Sequence, residues 1–199
     1  MFLSLTLICV IVGVILGGVY AITKDPIAAA EQAKQDKALK AVAPEFDAVG
    51  EILATTTPNG KDASVTPLLK DGQPVGYAVQ VVEMGFGGEV KIMFGFDRDL
   101  NITGYNVLSH QETPGLGSKM PEWFAEGGKG NVIGKNPANN NLTVSKDGGE
   151  VNAITAATIS SRCFCCALNA AYALIATSEV AELAETPEKE PEAPVSTEQ

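Results

Sequence analysis

The chain has 199 residues and a formal net charge of −10, which leaves room for one domain of ordinary size beyond an anchor and a tail. The charge is uneven: residues 179–199 hold seven Glu and one Lys, six of the ten excess negative charges. The absence of a basic cluster argues against a nucleic-acid partner, since phosphates need Lys or Arg to neutralise them.

Residues 2–22, "FLSLTLICVIVGVILGGVYAI", run for 21 positions without a charge. As a helix they measure about 30 Å, the thickness of a bilayer core. The apolar core exceeds that of a signal peptide and no positive segment precedes it, so residues 1–23 read as a transmembrane anchor. Residues 24–44 form a membrane-proximal helix, with Asp25 as N-cap, Pro26 at the first helical position and Pro44 as its end. Lys24, Lys34, Lys37 and Lys40 flank the span on this side and no Lys or Arg precedes it. Taken alone, that asymmetry places the C-terminal domain in the cytoplasm.

From residue 64 the period changes to strand-like alternation, broken at Asp71-Gly72, at 85–88 and at 97–101. Four antiparallel strands are expected near 64–70, 75–84, 89–96 and 102–109. A glycine- and proline-rich loop region over 111–141 carries the chain's only Trp, Trp123. A short strand near 142–145 and a turn at Asp147-Gly148-Gly149 are expected next. The last helix places Phe164, Leu168, Tyr172 and Ile175 on one face, against the sheet. The fold class is therefore α+β: an N-terminal transmembrane helix, then a small antiparallel sheet packed with helices over 45–180. Residues 181–199 form an acidic, disordered tail.

Four cysteines are present: Cys9 in the apolar run, and Cys163, Cys165 and Cys166 in "CFCC". Three thiols in one short segment cannot staple distant parts of a domain, and a single His with no second cluster argues against a metal site. They read as small buried or half-buried helix residues. No catalytic triad can be built from spacing, and His110 reads as structural.

Two stretches can carry chemistry. In "HQETPGLGSK", 110–119, Gly115 and Gly117 allow a tight backbone that approaches a flat or anionic ligand closely, although an ordinary turn has the same composition. In "NAITAATISSR", 152–162, hydroxyl residues crowd the start of the last helix. Unpaired amides and the positive end of the dipole favour an anion there. N-capping by Thr155 or Thr158 accounts for the same residues.

"NAITAATISS" resembles the covalent flavinylation motif of the FMN-binding domain family, Asp-x-x-(Ser/Thr)-Gly-Ala-Thr. "ETPGLG" and "GFGGEV" resemble two further elements of that family, in the same order. The set is most similar to the G subunit of the Rnf electron-transport complex, and is related to the C subunit of the sodium-pumping NADH:quinone reductase. The resemblance implies FMN joined through its phosphate to the Thr158 hydroxyl by a flavin transferase. Thr155, Ala156, Ala157, Ile159 and Ser160 would flank the attachment, and Glu112, Thr113, Leu116 and Gly117 would line the flavin. Asn152 and Ala156 stand where the motif has Asp and Gly, and Ala is penalised at positive φ.

The resemblance further implies an electron-transfer subunit of an ion-translocating ferredoxin:NAD⁺ oxidoreductase, with the other membrane subunits of that complex as partners. It places the single-pass protein in the bacterial inner membrane with its domain on the periplasmic side, against the lysine asymmetry. The competing readings are a membrane-tethered binding or assembly module without cofactor, its hydroxyls only a helix cap, and a component like the C subunit of the sodium-pumping NADH:quinone reductase.

Overall fold

The computed structural model describes residues 2–43 and 45–176. The expected helix end at Pro44 and the acidic tail lie outside the described residues. Two compact units divide the chain, Met1–Ala38 and Leu39–Gln199.

The first helix, α1, runs without interruption over Phe2–Val42, with Pro26 inside it. This corrects the expected break: Asp25 is not an N-cap and Pro26 does not open a second helix. Proline removes one amide and crowds the preceding turn, at a cost of about 3 kcal/mol, but its fixed φ is helical. The Ala-, Gln- and Lys-rich sequence after it propagates the helix strongly enough to carry it through. Near the proline the Thr23 hydroxyl donates to the Val19 carbonyl at 2.8 Å.

The sheet consists of β1 (Ala48–Val49), β2 (Leu53–Thr56), β3 (Asp62–Lys70), β4 (Gln73–Met84), β5 (Glu89–Asp97) and β6 (Ile102–Ser109). It is antiparallel in the order β1-β3-β4-β5-β6, with β2 pairing the other end of the same β3 edge. The β3–β4 hairpin turns on Asp71 and Gly72, φ 52° and 74°, the two left-handed residues that a tight hairpin needs. The four long strands match the expected ones to within two residues. The two short edge strands were not expected.

One sheet face carries Val65, Val79, Val81, Ile92, Phe94 and Phe96, all fully buried. Over it lies α3 (Thr158–Ala176), chiefly against β4, with Phe164, Leu168 and Ile175 buried as its spacing requires and Tyr172 half-buried. Phe164 centres an aromatic cluster, stacked on Phe124 at 4.1 Å and edge-on to Tyr105 at 4.8 Å and Phe94 at 5.5 Å. Edge-to-face and offset-stacked rings add to the area they bury.

The last turn of α1 is seated on the sheet at a glycine notch. Gly95 and Gly104 are paired across β5 and β6, and a Cβ on Gly95 would collide with the Val42 carbonyl. A Cβ on Gly104 would lie 3.0 Å from the Val42 Cα. Thr103 Oγ1 donates to that same carbonyl at 2.6 Å, satisfying a group that the helix end leaves unpaired.

Between β6 and α3 the chain is mostly irregular, with one short helix, α2 (Met120–Trp123). The strand expected near 142–145 reduces to a single parallel bridge, Val144 to Val151, with a 3₁₀ turn over Ser145–Asp147 after it. Its backbone groups are satisfied inside the loop: Val151 N–H donates to Thr143 O at 3.0 Å, and Ser145 N–H to Val151 O at 2.8 Å. No ladder is left for the alternating side chains to join.

Candidate functional site

The three motifs meet at one carboxylate. Glu112, only 5 % exposed, accepts at Oε1 from the amides of Phe86 (2.7 Å) and Gly87 (3.4 Å) in the β4–β5 turn. Its Oε2 accepts from the buried Ser160 hydroxyl on α3 at 2.6 Å. A buried charge requires such partners. Its own amide donates to His110 Nδ1 at 3.2 Å, which gives that histidine an orienting role. Gly117 closes the loop against this centre: a Cβ there would press on Glu112 Oε2 and lie 2.7 Å from Ser160 Oγ.

Above the carboxylate opens a cleft of about 330 Å³, within the range of small-ligand sites. It is lined by Phe86, by Glu112, Thr113, Leu116 and Gly117, and by the run Ala156–Ser160. The residues that the resemblance assigned to the flavin all line it except Thr155, which is exposed; Gly115 of the glycine-rich loop is not part of the lining. Phe86 is the wall that the sequence did not place. Its signal was present, an aromatic residue between glycines in "GFGG".

The start of α3 differs from a capped helix. Ala157 precedes Thr158 and has no capping oxygen. Among the described residues, neither the Thr155 nor the Thr158 hydroxyl accepts a helix amide. Ser161 organises the turn instead, its Oγ accepting from Ile154 N–H and donating to Ala157 O, both at 2.9 Å. Ala156 takes φ +61°, the left-handed conformation that costs an L-residue about 1–2 kcal/mol. Thr158 is half-buried at the cleft edge, and Lys146 Nζ donates to its Oγ1 at 3.1 Å.

Behind the helix start, Arg162 grips Asp147 through both carboxylate oxygens, at 2.6 and 2.7 Å. The hydrogen bond from Arg162 holds the Asp147 carboxyl below its usual range. Burial pushes the Cys163 and Cys165 thiols up to about 12, keeping them protonated at neutral pH. Cys166, more exposed, is raised for the same reason. No group of three metal-ligating side chains occurs among the described residues.

Residues 85–173 match the model of the FMN-binding domain, and residues 3–42 match that of the RnfG N-terminal region. The chain is 36 % identical over 156 residues to the G subunit of the ion-translocating oxidoreductase complex of Aliivibrio fischeri, covering 72 % of this chain and 73 % of that protein. The chain belongs to this family of G subunits. The G subunit of Vibrio vulnificus is 34 % identical over 158 residues, covering 71 % and 72 %. That of Methanosarcina acetivorans is 37 % identical over 111 residues, covering 54 % and 55 %.

Every residue lining the cleft falls inside the FMN-binding match. The lining also suits such a group. Phe86, Leu116 and Ile159 offer exposed apolar surface for a flat ring system, and the uncapped start of α3 offers amides for a phosphate.

Proposed function

We propose that this chain is the electron-transfer subunit of a membrane-bound, ion-translocating ferredoxin:NAD⁺ oxidoreductase, and that it carries FMN covalently through a phosphoester on Thr158. The observation that carries the reading is the convergence of three separate motifs on one cleft, with the Thr158 hydroxyl at its edge and at the uncapped start of a helix. When bound, FMN supplies the one- and two-electron chemistry.

The chain's own residues supply placement. Thr158 Oγ1 is the attachment atom, with Thr155, Ala156 and Ala157 shaping the turn that presents it. The first-turn amides of α3, at Ile159 and Ser160, offset phosphate charge. Phe86, Leu116 and Ile159 shield the ring system from water, and Thr113 and Gly117 form the loop wall. Glu112 holds loop, turn and helix at fixed separation through its three hydrogen bonds.

Maturation requires a flavin transferase as a partner. The other membrane subunits of the complex, named for the relatives as an ion-translocating oxidoreductase, are the stable partners. The uncharged first half of α1 anchors the protein as a single span in the bacterial cytoplasmic membrane.

The test is co-expression with a flavin transferase, then denaturing electrophoresis under ultraviolet light and intact-protein mass measurement. The wild-type band fluoresces and gains the mass of FMN less water, and Thr158→Ala shows neither. A dark wild-type band, or a Thr158→Ala band as bright as wild type, rejects the attachment.

A further inference from the structure

We infer that Lys146 is the counter-ion of the flavin phosphodiester, and that the Asp147–Arg162 pair positions it. The inference rests on the attachment at Thr158 proposed above. Lys146 lies on the 3₁₀ turn Ser145–Asp147, closed by Gly148 in the left-handed conformation at φ +87°. Two neighbouring side chains of that turn reach α3. Asp147 holds Arg162 in a two-point fork, and Lys146 donates to Thr158 Oγ1 at 3.1 Å. Thr158 and Arg162 are four residues apart on the helix and share a face. The fork therefore fixes the turn one helical turn from the threonine and delivers the ammonium to the hydroxyl.

Asp147 and Arg162 neutralise one another in a bidentate pair. The Lys146 ammonium is directed at a neutral hydroxyl; it also helps through space to hold the Asp147 carboxyl low, but that carboxylate is already paired with Arg162. Esterification keeps Oγ1 as the bridging oxygen, so the phosphorus is one bond from the atom the ammonium already touches. A phosphodiester carries one negative charge, and the helix start supplies only about half a positive charge. Lys146 supplies the remainder. It is a positioning residue: it holds the phosphate end while the cleft holds the ring.

The decisive experiment is phosphorus NMR of the flavin-loaded full chain in detergent at neutral pH, joined to a time course of loading by mass. A phosphodiester has no proton to lose there, so a displaced resonance reports a change in the charge and hydrogen bonds around it. Lys146→Met displaces the resonance from its wild-type position, and Lys146→Arg, which keeps the charge, brings it back towards that position. Loading slows about tenfold in Lys146→Met, the loss of one charge-assisted hydrogen bond, and recovers in Lys146→Arg. Asp147→Asn, which leaves the amine but loosens its turn, falls between them. A Lys146→Met resonance at the wild-type position, or Lys146→Met loading at the wild-type rate, overturns the inference. A wild-type chain that never gains the flavin mass instead overturns the attachment on which it rests.

Discussion

At the scale of single residues, Ala156 is the position where sequence and geometry disagree. The sequence-based expectation was that alanine would be penalised if this turn needed positive φ, and the turn does need it, at +61°. Ala156→Gly relieves the left-handed strain of about 1–2 kcal/mol, and loses part of that gain to the greater freedom of glycine in the unfolded chain. The expected net gain is about 0.5–1 kcal/mol, a rise of roughly 1–4 °C in the unfolding midpoint by calorimetry. Flavin loading of the variant should be at least as fast as wild type, and a lower midpoint would show that the methyl makes a contact that outweighs the strain. Glycine, proline and hydroxyl residues marked the two stretches by composition, but an ordinary turn and a helix cap have the same composition, and it was the family resemblance that assigned the lining residues. Phe86 was quoted within "GFGG" but not assigned to the site, and Lys146 could not be read at all, since it reaches Thr158 from a turn whose closeness to α3 is set by tertiary packing. Thr155, placed beside the attachment by its rank in the motif, is exposed and does not line the cleft.

Among the elements, the four long strands were legible because each has a buried face that imposes alternation and a turn with its own chemistry, as at Asp71-Gly72. β1 and β2 are short and mostly exposed, so they have no buried face to imprint a period on the sequence. The false strand near 142–145 has the alternation, but its backbone bonds close within a loop. The false helix start at Asp25-Pro26 is a local capping signal that the helix propensity around it overrides. The Gly95–Gly104 notch yields an element-level prediction. Gly95→Ala places a methyl against the Val42 carbonyl and costs about 1–3 kcal/mol through overpacking, with amide exchange at residues 39–43 accelerating as the last turn of α1 lifts. Exchange unchanged from wild type at those amides would mean that the helix end is held by Thr103 without the notch.

For the whole molecule, the tension is between charge and resemblance. Lys24, Lys34, Lys37 and Lys40 follow the apolar run closely and no lysine precedes it, yet the family resemblance implies a domain on the periplasmic face. With Asn139→Cys as an exposed reporter on the domain, a membrane-impermeant maleimide should label intact cells beyond the level of the unsubstituted chain. Labelling that appears only after lysis would reverse the topology. The Glu112 centre has a consequence at this scale as well. Its two oxygens tie residues 26 and 48 positions away along the chain, so the cleft is assembled from three segments that only the folded domain brings together. On the proposed attachment, a modifying enzyme that recognises the assembled cleft would inspect the fold before it acts, and the attached flavin would be a durable record that a given copy had passed.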